Sequence, residues 1–151
     1  EIPVVQLSIK RSFDPEEHLA VGRALAPLRD EGVLIVGSGF SYHNMRLMGP
    51  GGEGPSSEFD AWLGTTLIDS TPAERTVRLR EWAKAPSARI AQPREDHLIP
   101  LMVAVGAAED EPATRSYYQN DWFGGVTASS FRFGTPIAAS TASTSHGEHH
   151  V

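Results

Sequence analysis

Val33-Leu34-Ile35-Val36-Gly37-Ser38-Gly39 decides how this chain is read. A continuous apolar run ending in a glycine-rich turn has the pattern of a strand covered on both faces of a sheet. Upstream, Pro3 to Ile9 reads as a second strand, with Val5, Leu7 and Ile9 on one face. Between the two, Asp14-Pro15-Glu16-Glu17 supplies an N-cap, a proline at the first helical position and a capping-box glutamate. The helix that follows places Val21, Ala24, Leu25 and Leu28 at helical spacing and stops at Gly32. Residues 3 to 37 therefore predict a β-α-β unit with parallel strands and a right-handed crossover. The fold class expected is α/β, with a mostly parallel or mixed central sheet flanked by helices. Sites in open parallel sheets lie beyond the carboxyl ends of strands, and His43 follows one such end.

Downstream, Met48 to Pro55 reads as a surface loop because of its four glycines and two prolines. Ser56 or Ser57 then caps a helix carrying Phe59, Trp62, Leu63 and Leu67. Thr71-Pro72-Ala73-Glu74 marks another helix start, with Val77, Leu79, Trp82 and Ala83 as its apolar positions; Leu79 fits the stripe poorly, and Ala85-Pro86 ends the helix. From His97 to Ala108 the sequence predicts a helix buried nearly all round, with Pro100 tolerated in its first turn. Val126 to Phe133 is a final strand. Beyond Gly134 the Ala, Ser and Thr residues and His146, His149 and His150 lack a core pattern, so 1–134 is expected as the folded unit and 135–151 as a flexible tail.

With 151 residues, 40% of them apolar, the chain can bury a real core, and its length suits one domain or most of one. The absence of cysteine excludes disulfides and thiolate metal sites. A net charge of −6 argues against nucleic-acid and anionic-membrane surfaces. No apolar run approaches the roughly 18 residues of a membrane span, and a soluble, cytoplasmic protein is expected. Glu1-Ile2-Pro3 opens directly on the run Val4 to Ile9, as expected of a boundary left by processing or by recombinant truncation.

Several residue groups carry candidate chemistry. Gly37-Ser38-Gly39 suits an anion-cradling turn, but it has neither phosphate-binding spacing nor a nucleophile elbow around Ser38, and a plain tight turn accounts for it. His43, beside Asn44, is placed to shuttle a proton near neutral pH, and a surface or capping histidine fits the same pattern. Glu95-Asp96-His97 gathers two carboxylates and an imidazole where an apolar helix begins. That set suits a divalent metal, and it equally suits the acidic residues that helix starts attract. His18 is expected to face solvent and the tail histidines to take no part in catalysis. Trp62 and Trp82 read as core residues; Tyr117, Tyr118 and Trp122, near Asp121 in a loop, are placed to face a substrate.

Taken in order, Ile2 to Ile9, Gly22 to Val33, Gly37-Ser38-Gly39 with His43-Asn44, and Pro93-Arg94-Glu95-Asp96-His97-Leu98-Ile99-Pro100-Leu101 resemble the C-terminal half of the class III extradiol ring-cleavage dioxygenases. The branch they are most similar to is the DOPA-dioxygenase-like part of the LigB superfamily. The resemblance covers residues 2 to 134. It implies a non-haem metal, Fe(II) in ring-cleaving members and Zn(II) in some relatives. It implies that His97 is a metal ligand, with Glu95 the second choice, and that His43 is the acid-base residue, oriented by Asn44. Gln92 stands where many relatives carry histidine and is not counted as a lost ligand. The implied reaction opens a catechol-type diol with O2. The N-terminal half of the family fold, which carries two further ligand histidines, has no counterpart here, so a preceding segment of the same protein or a companion chain, within an oligomer, is the implied partner. A zinc-dependent hydrolase or lyase and a non-catalytic scaffold on the same fold are the alternatives.

Overall fold

The computed structural model describes residues 1–135, and nearly all of the expected tail, with its three histidines, lies outside them. Helix α1 (Pro15–Leu25) starts on the chemistry its sequence supplies: the Asp14 carboxylate accepts the Glu17 N–H at 2.9 Å and proline enters the first turn. One more turn, α2 (Pro27–Asp30), leads to Gly32 at φ +83°, a left-handed conformation that stops helices and suits glycine. The buried face of α1 is His18, Leu19 and Gly22, not the expected stripe through Val21, Ala24, Leu25 and Leu28. Backbone proximity explains the rotation. Helix α1 packs on α6 (Ile99–Gly106) so closely that a methyl on Gly22 would lie 2.2 Å from the Val103 carbonyl oxygen, and one on Gly106 would lie 2.1 Å from that of Leu19.

His18, expected at the surface, is only 1% exposed. Its Nε2 accepts the Lys10 N–H at 3.0 Å and its Nδ1 lies 2.6 Å from the Asp14 carbonyl oxygen. The ring thus tethers the residues before α1 to its first turn.

Helix α3 (Glu53–Gly64) begins inside the stretch expected as a loop. Gly54 and Pro55 occupy its first turn, where a missing amide donor costs no intrahelical bond. Continued by a π-turn, Thr65–Asp69, α3 carries Phe59, Leu63 and Leu67 into the core as their spacing predicts. Helix α4 (Pro72–Arg80) opens with a reciprocal capping box between Thr71 and Glu74. It buries Leu79 and leaves Val77 exposed. After α5 (Ala88–Ala91), α6 is the expected apolar helix, with Pro100 in its first turn. Strands β1 (Ala113–Trp122) and β2 (Val126–Phe133) form an antiparallel ribbon. The ribbon turns at Phe123 and Gly124, both with positive φ. β2 is the strand expected from sequence, whereas β1 covers the stretch read as a loop. Ser56 fastens the ribbon to α3, its hydroxyl accepting the Thr127 N–H at 2.8 Å.

This ribbon is the whole sheet among the described residues, so the expected parallel or mixed central sheet flanked by helices is corrected to a largely helical fold with one antiparallel pair. Neither Pro3 to Ile9 nor Val33 to Val36 is a strand. Apolar runs become strands only where another segment supplies backbone partners, and within the described residues neither run is paired in a sheet. Most of their side chains stay in solvent: Val4 and Val5 are 88% and 92% exposed, Leu34 and Val36 84% and 73%, while Ile9 and Ile35 are half-buried. The β-α-β reading fails at the pairing step. Residues 37–39 instead cross the start of α6, where a methyl on Gly39 would lie 2.0 Å from the His97 carbonyl oxygen. A groove of about 650 Å³ separates this segment from β2, lined by Val33, Leu34, Leu101, Ala104, Phe131 and Phe133 among others. No helix among the described residues is long and apolar enough to cross a membrane.

Two outcomes test this architecture. Gly22→Ala should cost about 1–3 kcal/mol through forced separation of α1 and α6, read by denaturant unfolding; an unchanged midpoint would contradict the close packing. The isolated chain should bind a hydrophobic dye while still melting cooperatively, and Val5→Glu with Leu34→Glu should reduce that binding without lowering the melting temperature.

Candidate metal centre

Two segments far apart in sequence are stitched together where α6 begins. The Phe40 N–H donates to the His97 carbonyl at 3.1 Å and the His43 N–H donates to that of Ala91 at 2.8 Å. Two side chains add to this seam. Asn44 Nδ2 donates to the Ile90 carbonyl and Gln92 Nε2 to the Phe40 carbonyl, each at 2.8 Å. Gly39 makes the approach feasible, since no Cβ fits against His97 there.

The seam brings the two histidines face to face. Their ring centroids are 3.5 Å apart with planes 18° from parallel. Asp96 joins them: one ligand atom from each of His43, Asp96 and His97 lies within 4.8 Å of the others, and all three residues are half-buried. Ligands held about 2.1 Å from one ion are separated by roughly 3–4 Å, so small side-chain rotations would bring Asp96 and His97 onto one ion, with His43 beside them. Asp96 and His97 share the 3-10 turn Glu95–His97. Glu95 points elsewhere, its carboxylate 2.8 Å from Arg89. Arg94 lies 3.9 Å from Asp96, a long contact that leaves most of that carboxylate's capacity free.

Burial lowers the His43 pKa below its ordinary value of 6.5, the neighbouring His97 lowers it further, and Asp96 opposes both. The ring is therefore held neutral, with a lone pair available to a proton or an ion. Asn44 makes no hydrogen bond to the His43 ring: its amide oxygen accepts the Arg46 N–H at 3.1 Å and its nitrogen donates to the Ile90 carbonyl. It steadies the backbone on which His43 sits.

Sequence reasoning marked His43 and His97 and placed Asp96 in their company without choosing it as a ligand. The seven-residue arc from Arg89 to Glu95 held the missing signal, because their ion pair removes one carboxylate from the set. Gln92 was noted only by its position, and nothing in spacing marks it as fully buried. Tyr117 and Tyr118 are partly exposed on β1, while Trp122 packs edge-on against Phe40 at 6.1 Å.

The family model for the catalytic LigB subunit of aromatic ring-opening dioxygenase matches residues 1–133. The chain belongs to this family. Among relatives of this LigB-family chain, the 4,5-DOPA dioxygenase extradiol of Beta vulgaris is 40% identical over 137 residues, covering 88% of this chain and 50% of that protein. That of Mirabilis jalapa is 40% identical over 131 residues, covering 82% and 48%. The crystal structure of uncharacterized protein JW3007 from Escherichia coli K12 superposes with a TM-score of 0.74 at 30% identity, covering 87% of this chain and 55% of that one. The chain thus spans about half the length of the relatives it matches.

The unfolded chain binds the His43 proton more readily than the folded one. His43 therefore contributes stability that is fully present above pH 6.5 and is lost as pH falls toward its lowered folded value. An NMR titration of the metal-free chain should place the His43 midpoint below 6.5; a midpoint at or above that value would remove the burial argument.

Proposed function

We propose that this chain forms the C-terminal half of the site of a metal-dependent extradiol dioxygenase that opens a catechol-type aromatic ring with O2. The observation that carries the reading is the stacked His43–His97 pair with Asp96 beside it, in a chain of this family. An imidazole and a carboxylate from Asp96 and His97 suit a divalent first-row metal. Iron(II) fits a reaction with O2 better than zinc, which has no redox chemistry. Such an ion, when bound, would bring the adjacent hydroxyls of the substrate and O2 together and lower the hydroxyl pKa.

The parallel stack supports a division of labour. An imidazole ligates in its own ring plane, and two nearly parallel planes 3.5 Å apart do not converge on one ion. His97 with Asp96 therefore takes the metal role, and His43 stands beside it as the proton carrier. Held neutral by burial, His43 accepts a proton from a substrate hydroxyl and later returns it. Glu95, paired with Arg89, keeps the 3-10 turn in place. Asn44 holds the backbone of His43 through its bond to Ile90.

The remaining ligands come from a second segment, in the same polypeptide or in a companion chain, which also covers the exposed apolar runs 3–9 and 33–36. The half-length coverage of the relatives and the exposed valines and leucines of both runs support this. The relatives named as 4,5-DOPA dioxygenases point to a substituted catechol as substrate.

The assembled, Fe(II)-loaded protein should consume O2 when given a catechol and release a ring-opened product. His43→Ala should keep its iron and lose about 10²–10⁴-fold in turnover, whereas His97→Ala should lose the iron. Iron loss in His43→Ala would make His43 a ligand, and no O2 uptake by the wild type would end the dioxygenase reading.

A further inference from the structure

Gln92 has no exposed surface, and its two amide atoms are treated differently. Nε2 donates to the Phe40 carbonyl at 2.8 Å, while Oε1 is buried with no partner among the described residues. Turning the amide over would set oxygen against oxygen at Phe40, so its orientation is fixed. A buried acceptor without a donor is unfavourable. A methionine would fill the same space and remove that cost, but it would leave the Phe40 carbonyl without its donor. The amide thus accepts one unpaired atom in exchange for a fixed bond to Phe40.

What the amide adds is direction. Phe40 is gripped at both ends of its backbone, its N–H by the His97 carbonyl at 3.1 Å and its carbonyl by Gln92. Three residues on, the His43 N–H is bound to the carbonyl of Ala91, the residue next to Gln92. The bonds close a loop running from Ala91 and Gln92 to His97, across to Phe40, along to His43 and back. Gln92 is the one side chain in that loop, and both imidazoles are carried on it.

We propose that Gln92 is a positioning residue: by holding Phe40 against the His97 carbonyl it sets the spacing of His43 over His97 and fixes the seat of the His97 ligand, and with that seat the affinity of the centre for a divalent ion. The effect on affinity rests on the reading of this cluster as a metal centre; the effect on spacing does not. In the metal-free full chain, stacking at 3.5 Å gives both imidazoles ring-current shifts visible by NMR. Gln92→Met should keep a cooperative melt, lose those shifts and bind Co²⁺ about 10- to 100-fold more weakly, the range for residues that orient metal ligands.

Wild-type shifts and affinity in Gln92→Met would overturn the proposal. If the wild-type chain binds no Co²⁺, the metal reading fails, and the shifts still decide the role of Gln92. Should Gln92→Met not fold, Gln92→Asn, an amide one methylene too short for Phe40, carries the same two readouts. Failure of both to fold would assign Gln92 to stability and refute the positioning role.

Discussion

Backbone contact around α6 is the constraint on which the rest of the fold depends. Gly22 and Gly106 let α1 lie against one side of the helix, and Gly37 and Gly39 let the segment before His43 lie against its start. At each position a methyl group would meet backbone, which cannot turn aside as a side chain can. The helix is therefore fixed from both flanks. Its apolar residues Ile99, Met102 and Val105 are fully buried because these flanks leave no space for solvent.

The histidine pair inherits its geometry from that arrangement. His97 ends the 3-10 turn feeding α6, and His43 lies four residues beyond Gly39. With the backbone of both segments tied by four hydrogen bonds, the imidazoles have little freedom beyond their own torsions. A site of this kind is organised before anything binds, which avoids an ordering cost at the moment of binding. Charge follows the same logic: Arg89 occupies Glu95 and leaves Asp96 beside the histidines.

How much of this could be read from sequence depends on the range over which each feature is encoded. Asp14 and Thr71 announce their helices because an N-cap acts within four residues. Phe59, Leu63 and Leu67 show their face by spacing alone. The face of α1 was not legible, since Gly22 is buried for lack of a side chain and no hydrophobicity pattern records that. The sheet was misread for a related reason: Val33 to Val36 carry strand character, but pairing belongs to a neighbour that their own sequence does not specify. β1 was hidden by its polar, exposed composition, with the turn at Phe123 to Gly125 its clearest sign. At the site, residue types and order sufficed for His43 and His97. The choice between Glu95 and Asp96 required the position of Arg89.

His18 narrows the chemistry available to the chain. With its Nε2 taken by the Lys10 amide and its Nδ1 held against the Asp14 carbonyl, neither nitrogen offers a free lone pair. A histidine committed in this way is invisible to dissolved ions and electrophiles while the fold persists. Of the three imidazoles among the described residues, only the stacked two retain coordinating capacity, so the fold has partitioned its histidines into one mechanical fastener and one reactive couple.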